Sequence, residues 1–364
     1  MGFTRQFYRD LFMNTWAEDE VENAQLKVLV ANSVASIAQN VAYETLTVDN
    51  VNASVKSVED RLGFVGQTFN ADGSMAANGS NLWVNVMGSN HKQDGMKSSG
   101  NGELAYDAND RGFMVGYDVA NSAMNARYGI ALSYMNGDVD SEGSYLKTTG
   151  EYNTMGLFGY MNWAPNDKFN LVASIGYAQN DTDVNMNLPK LGGSFNYNEA
   201  SANVDTSIFT AAVRAETRFA FNNVNVIPHA GLRLMAINVD DYATKIDGTT
   251  AFKNSVDNAL LGQIPFGVTV KGEFETNGWA VKPMADVTFV SQFGDTESAT
   301  TATFPRGSVT DKHIAEFTGK YATTMSVGVE AQKGNCSFGI EYNLTKGDND
   351  RTNNSVMGKV RYQF

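Results

Sequence analysis

The sequence contains little of what several common protein classes require. Its 364 residues include one cysteine, three histidines and six prolines, and 27 basic residues stand against 40 acidic ones. The single Cys336 excludes an internal disulfide and a thiolate metal cage. Affinity for phosphate backbones depends on clustered lysine and arginine, so a net charge of −13 argues against a nucleic-acid partner. We expect no metal site and no other cofactor.

Long apolar runs are also missing. The most apolar stretch near the N-terminus, residues 28–43, is interrupted by several asparagine, serine and glutamine residues and would not cross a bilayer as a helix. The residues after Met1 do not lead from a basic segment into an apolar one, so no secretory signal is recognisable. The chain is therefore expected to be either intracellular or a trimmed piece of a longer precursor.

The chain is rich in glycine and aromatic residues, and its hydrophobic period changes near residue 78. Upstream, small and apolar residues recur every three or four positions over Glu18–Leu46 and Val48–Leu62, which predicts helices. From Asn81 onward the period is two, as in strands with one apolar face. This rule predicts twelve strands, at 81–94, 111–120, 126–136, 151–163, 168–179, 203–221, 224–239, 259–275, 279–293, 319–332, 336–345 and 352–364.

The connections between these strands alternate in length. Tight turns follow the second, fourth, sixth, eighth and tenth strands, whereas long polar loops occupy 180–202, 240–258 and 294–318. This alternation is typical of bacterial outer-membrane barrels, which have an even strand number and short turns on one side. Lipid offers no hydrogen-bond partners, so the sheet must close on itself. We predict an all-β fold, a twelve-stranded antiparallel transmembrane barrel with its apolar face outward.

The opposite, polar faces of the predicted strands carry charges of both signs. A closed barrel needs such groups on its inner wall. The predicted lumen-lining residues are Arg214, Glu216, Arg218, Arg233, Lys271, Glu273, Lys282, Asp286, Glu330, Glu341, Lys359 and Arg361.

The C-terminal strand gives the first family signal. It ends on Tyr362 and Phe364, with alternating apolar residues before them, and this pattern resembles the signature by which the barrel-assembly machinery recognises outer-membrane proteins. The helical segment comes before a first strand containing Leu-Trp-Val-Asn-Val at 82–86 and a second containing Arg-Gly-Phe-Met-Val-Gly-Tyr-Asp at 111–118. This arrangement resembles the translocator domain of a type Va autotransporter over Val48–Phe364.

The resemblance implies a function and an organisation. In that family the barrel sits in the outer membrane of a Gram-negative bacterium, anchors the protein, and carries an N-terminal passenger to the cell surface. The expected partners are therefore outer-membrane lipid, the barrel-assembly machinery and a passenger polypeptide, with the barrel a monomer. The expected divisions are 1–47 as a helical linker or passenger remnant, 48–80 as an α-helical segment in the pore with its connection, and 81–364 as the barrel.

The resemblance also raises the question of self-cleavage. Some members cut themselves at paired asparagines in the pore helix. Here Asn50 and Asn52 lie in a comparable place but are separated by Val51. They are possible processing residues, and the interpretation as two polar helix residues is favoured.

An enzymatic barrel is the competing class. Outer-membrane phospholipases, which also have twelve strands, carry a histidine and a serine two residues apart on a strand. Two places after the three histidines here stand Gln93, Gly231 and Ala315. We expect His229 to line the lumen beside Arg233, and His91 and His313 to be solvated near outer loops. The chain is not expected to be an enzyme, and a passive pore or a surface adhesin without a passenger stays an alternative to the translocator.

Overall fold

The structure, a computed structural model, describes residues 42–67, 79–98, 102–143, 147–188, 197–303 and 310–364. One helix, α1 (Ala42–Leu62), comes before the strands in this part of the chain. Most of the predicted helix Glu18–Leu46 lies outside the described residues, and α1 runs without a break through the predicted division at 47/48. No helix among the described residues is long and apolar enough to cross a membrane.

Twelve antiparallel strands form the ring that the sequence predicts. They are β1 (Ser80–Ser98), β2 (Gly102–Asn121), β3 (Ala126–Gly143), β4 (Thr148–Asn166), β5 (Phe169–Asn187), β6 (Glu199–Thr217, continued as Phe219–Phe221), β7 (Val224–Val239), β8 (Ala259–Gly272, continued as Phe274–Thr276), β9 (Trp279–Gly294), β10 (Tyr321–Lys333), β11 (Cys336–Gly347) and β12 (Thr352–Gln363). Each strand pairs with the next, and β12 pairs with β1 from Gln363↔Asn81 to Thr352↔Lys92. The ring therefore has no free edge.

Tight turns join alternate pairs of strands at one end of the ring, which we call the turn end. The β8–β9 turn consists of Asn277 and Gly278, whose φ angles of 50° and 74° are both positive. Two positive φ values suit the twist of a two-residue hairpin, and asparagine and glycine adopt them most readily. The other end of the ring is the collar end.

The barrel exterior carries an apolar belt. Large outward side chains that are more than a third exposed include Leu82, Val86, Phe113, Tyr117, Ile130, Leu132, Leu157, Ile175, Phe209, Leu234, Phe266, Val287, Val327, Ile340 and Val356. Exposed aromatic residues near the turn end are Trp163, Phe219, Phe221, Phe274, Phe338 and Tyr362. An apolar band bordered by aromatic residues is what a lipid-facing barrel surface requires.

Toward the collar end, the outward faces of β1–β6 become polar, beginning on β1 at Asn90 and on β2 at Arg111. Two segments predicted as polar loops form hairpins there instead: Tyr242–Ile246 with Thr249–Val256, and Glu297–Thr303 with Thr310–Glu316. The first hairpin pairs with β6 and with the second hairpin, and the second reaches β1 through Ala315↔Ser98. The ends of β1–β6 and the two hairpins together form a second wall, which we call the collar.

The collar corrects the loop prediction for 240–258 and 294–318. Buried residues alternate with more exposed ones along the hairpin strands: in the first strand Tyr242, Thr244 and Ile246 are buried, and the residues between them are not. Their buried side chains join an apolar cluster with residues of β5 and β6. The loop prediction gave most weight to the abundant polar residues of these segments, but some of them, such as Thr244, Asn254 and Ser298, are buried inside the collar.

Helix α1 fills the inside of the ring. Its backbone packs chiefly against β4, β5 and β6, with lesser contact to β2 and β3. Val51, Val55, Val58 and Leu62 are buried along one stripe and join the largest apolar cluster of the described residues. Leu62 lies at the turn end and Ala42 lies in the collar.

Candidate functional site: the helix-filled pore

The C-terminal end of α1 is capped by the barrel wall. The backbone oxygen of Leu62 accepts hydrogen bonds from the side-chain amides of Asn170 at 3.0 Å and Asn162 at 3.4 Å, and from Gln67 at 3.0 Å. The backbone N–H of Phe64 donates to Glu216 Oε2 at 2.7 Å. The last carbonyl groups of a helix have no partner within the helix, so these wall residues fix where α1 ends in the ring.

A buried carboxylate next to this end joins the helix to β2 and β3. Asp118 Oδ1 accepts from Arg61 Nη2 of α1 at 2.8 Å, from Asn81 at 3.2 Å and from Arg127. The Asp118 side chain is fully buried and both arginines are nearly so. One carboxylate therefore balances two buried guanidinium groups, one of them on the helix.

Arginines of β6 and β7 hold the C-terminal half of α1. Glu59 lies 3.2 Å from Arg233 Nη2 and 3.6 Å from Arg214 Nη1. Arg214 also pairs with Glu216 at 2.9 Å, and Arg233 also donates to the Asn52 side chain. Both arginines are among the predicted lumen-lining residues, and in the structure they reach the same helix carboxylate.

On the opposite side, α1 meets β11 and β12 through four charged groups, which we call the quartet. Lys56 Nζ lies 2.7 Å from Asp60 and 2.8 Å from Glu341. Lys359 Nζ lies 3.0 Å from Asp60 and 2.6 Å from Glu341. The quartet has two charges of each sign, with one of each on the helix and one of each on the wall.

The other predicted wall residues mostly meet the connection after the helix, or one another. Lys271 Nζ donates to the backbone oxygens of Phe64 and Gln67, and Arg361 donates to that of Gly66. The wall-to-wall contacts are Arg361 with Glu330, Lys282 with Gln332 and Glu330, Lys271 with Glu273, and Asp286 with His229. Arg218 hydrogen-bonds Asp167 of the β4–β5 turn and lies over the Phe64 ring.

The expectation that His91 and His313 are solvated is wrong. His313 is 9% exposed, and His91 is 2% exposed and points into the pore. His91 Nδ1 faces Asp49 of α1 and Nε2 faces Asp110 of β2, each at 3.1 Å. The alternation on β1 between outward Asn90 and Lys92 turns the intervening residue inward. His229 does line the lumen on the face of Arg233, as expected, with Asp286 at 2.9 Å.

The first turn of α1 lies inside the collar. Thr45 Oγ1 donates to the backbone oxygen of Phe317, and Ser298 donates to Glu44 Oε1 at 2.9 Å. Tyr43 joins the apolar cluster of the collar with Tyr242 and others. Burial raises the pKa of Glu44 to about 8, despite the opposing effect of the Ser298 hydrogen bond, so this carboxyl is mostly protonated at neutral pH.

The two possible processing residues lie on different faces of the helix. Asn50 Nδ2 donates to Thr154 Oγ1 at 3.0 Å, and Asn52 Oδ1 accepts from Arg233. Each side-chain amide is therefore engaged with the wall.

The C-terminal residues lie on the outer surface at the turn end. Tyr362 and Phe364 are exposed and their rings meet edge to face at 4.9 Å. The backbone N–H of Phe364 donates to the Ser80 oxygen at 2.9 Å, which ties the chain end to the start of β1.

Several residues of the pore were missed from the sequence. They include Asp118, Arg127, Asp110, Arg351, Asn162 and Asn170, all of which are buried. The signal was present for Asp118 and Arg127, because each occupies the polar side of an alternating strand between apolar neighbours. A charged residue between two apolar neighbours on an alternating strand is therefore expected to face the barrel interior.

Comparison with known proteins agrees with this architecture. Residues 82–343, most of the chain, match the family model described as autotransporter beta-domain. The chain belongs to this family. The autotransporter beta-domains are outer-membrane β-barrels of Gram-negative bacteria, which places this barrel in that membrane. Barrels of this membrane keep their short turns on the periplasmic side, so we expect the collar end to face outward. A search of curated protein sequences finds no significant match.

Three solved structures share the fold of this autotransporter beta-domain. The beta domain of the Bordetella autotransporter BrkA is 17% identical, over 79% of this chain and 100% of its own, with a TM-score of 0.55. The translocator domain of NalP from Neisseria meningitidis is 14% identical over 89% of this chain and 99% of its own, with a TM-score of 0.58. The transport unit of AIDA-I from Escherichia coli is 12% identical over 87% of this chain and 99% of its own, with a TM-score of 0.60.

Proposed function

We propose that this barrel anchors and exports an N-terminal passenger to the cell surface, and that it has no catalytic site of its own. The observation that carries the proposal is the direction of α1. The first turn of α1 lies inside the collar and its last residue, Leu62, lies at the turn end, so the helix runs along the pore with its N-terminus toward the collar end. A passenger joined to the N-terminus of α1 would, on this proposal, lie on the collar side of the barrel.

The proposed division of labour follows the contacts. We assign residues 81–364 to the membrane barrel, and 48–80 to most of the pore helix with its connection to β1. Residues 1–47 are assigned to a linker or passenger remnant, whose last residues, from Ala42, form the start of α1 inside the collar. Outer-membrane lipid covers the apolar belt, and Tyr362 and Phe364 serve as the signal to the barrel-assembly machinery. A ring closed within one chain supports a monomer, because every barrel strand finds both partners in the same molecule.

Passenger export is tested with a fusion. A secretory signal and a small epitope-tagged passenger are added at the N-terminus, the fusion is made in a Gram-negative host, and protease is added outside whole cells. We expect the protease to remove the tag. A periplasmic protein that resists the same treatment shows that the outer membrane stayed closed. A barrel that inserts while its tag remains protected would reject export and favour the passive pore.

The same fusion reports on processing. We propose that Asn50 and Asn52 act as structural helix residues and that the helix stays uncut, since both amides are bound by the wall. The tag and the barrel then run as one band before protease is added. A separate tagged fragment in the medium would show cleavage instead.

The arginines on Glu59 are predicted to keep the helix in place. Replacing Arg214 and Arg233 with methionine leaves Glu59 without its two basic partners, so we expect the helix to leave the pore more often. In planar bilayers, the variant should show large, transient current steps that the parent lacks. Arg111→Met, on the exposed outer face of β2, is the matched control and should behave like the parent. Equal currents in all three proteins would show that these pairs do not retain the helix.

An adhesin without a passenger is a weaker candidate. It would require partner binding by the collar alone, and the alignment of α1 with the pore has no role in that function. Binding of host cells by a barrel with no N-terminal fusion would favour it.

A further inference from the structure

The helix does not fill the ring evenly. It packs against β2–β6, and on the side of β7–β12 a cavity of about 160 Å³ remains between helix and wall. Six residues of α1 line it, and three of these, Asn52, Ala53 and Lys56, are partly exposed. Their spacing places them on one face of the helix. One side of α1 therefore faces an open space along its length.

The lining of this cavity combines charged groups of the helix and wall, apolar side chains such as Met284 and Val290, and uncharged polar side chains. Small hydroxyl and amide side chains line it, among them Thr288, Thr324, Thr345, Asn343, Asn353 and Ser355. All but Asn343 are partly exposed. A cavity of 160 Å³ has room for several water molecules. The space therefore suits water and small ions.

Two smaller cavities, of about 50 and 30 Å³, continue toward the turn end. Glu330 lines both, and its side chain is 23% exposed. The quartet lies where the cavities meet: Lys56 and Asp60 line the large one, Asp60 and Lys359 line the second, and Lys359 and Glu341 line the third. The side chains of the quartet thus separate the three neighbouring cavities.

We propose that water and small ions cross the outer membrane beside the seated helix, along the β8–β12 wall, and that the quartet is the narrow point that sets which ions pass. The quartet side chains, which separate the cavities, would move aside as an ion passes. The quartet has no net charge, so the path discriminates weakly between cations and anions. The proposal is independent of passenger export.

Changing the sign of the quartet gives the sharpest test. Lys359→Met leaves it with a net charge of −1, and Glu341→Gln leaves it with +1, while the remaining three charges still contact one another. Charged groups at a constriction concentrate ions of opposite sign. We expect the potassium-to-chloride permeability ratio to rise in Lys359→Met and to fall in Glu341→Gln, with the two variants about tenfold apart.

The measurement uses the full chain in planar bilayers with a potassium chloride gradient. Lys346→Met, on the exposed outer face of β11, removes a lysine away from the pore and should keep the parent ratio. The shift in mobility between heated and unheated samples shows that each variant is folded. Small steady currents whose selectivity follows the quartet would support the path.

Two results would overturn the proposal. One is an equal permeability ratio in both variants, which would place the ions elsewhere. The other is a current as large as that of a barrel lacking residues 42–62, because ions would then be using the emptied pore. The double variant Lys56→Met with Lys359→Met tests the same sign change with a net charge of −2 if one single variant does not fold.

Discussion

Replacing Asp118 with alanine is expected to destabilise the folded barrel by about 3–5 kcal/mol, the range for removing one partner from a buried charge cluster. The carboxylate is fully buried and accepts hydrogen bonds from Arg61, Arg127 and Asn81. Without it, two guanidinium groups with less than a tenth of their side chains exposed lose their counter-charge and repel each other. Neither can reach bulk water without moving the end of the helix or the start of β3.

The loss is measurable by urea unfolding in lipid vesicles, followed by tryptophan fluorescence. Trp83 is buried on the neighbouring strand, where its indole N–H donates to Tyr160 at 2.8 Å. The matched control is Asp107→Ala, which lies on the same strand but is exposed on the outer face and should change stability by no more than about 0.5 kcal/mol. Similar midpoints for the two variants would show that Asp118 carries no special share of the stability.

The loss of stability in Asp118→Ala can be divided between the contact with the helix and the contact with the wall. If it acts only through Arg61, deleting residues 42–62 removes most of the difference between Asp118 and alanine. If it acts through Arg127 as well, part of the loss persists in the barrel without its helix. We expect a persisting loss, since Arg127 and Asp118 lie on paired strands and contact each other without the helix.

The sequence predicts the ring well because each strand carries its own signal. Alternation over five or six residues identifies β8 and β9, and the alternation of short and long connections orders the strands around the barrel. Most barrel-strand ends differ from the prediction by only a few residues. The larger differences are at the collar end, where β1 to β6 extend beyond the apolar belt. In these extensions the apolar side chains face the inside of the collar and the polar ones face outward.

The pairings inside the pore are harder to predict. Asp49 meets Arg351 although 302 residues separate them, and Arg61 meets Asp118 across 57. These contacts depend on the height and rotation of the helix within the ring, which no local period encodes. Arg214 and Arg218 illustrate the limit: both point inward from β6, but only the first reaches a carboxylate of the helix, while the second binds the β4–β5 turn.

The remaining prediction concerns pH and His91, whose imidazole lies between Asp49 of the helix and Asp110 of β2 just beyond the lipid belt. The other polar groups at this position are Tyr152, which donates to Asp110, Arg351, which donates to Asp49, and Tyr106. Burial alone would lower the pKa of His91, but the hydrogen bonds and charges of Asp110 and Asp49 outweigh it and raise the pKa to about 9.

Because the pKa of His91 is raised in the folded state, the folded chain holds a proton that the unfolded chain releases near its ordinary value of about 6.5. The stabilisation is complete below that pH and is lost as the pH rises through about 9, and it amounts to about 3 kcal/mol. His91→Gln should therefore be less stable than the parent near pH 6 and nearly equal to it above pH 10. Urea unfolding at several pH values measures the difference, and a difference that does not change with pH would show that His91 has the same pKa in the folded and the unfolded chain. Glu44 also contributes stability that is lost as the pH rises, but it is present in both proteins and cancels when the two free energies of unfolding are subtracted. The remaining pH dependence therefore belongs to the contact between the helix and the outer end of the pore.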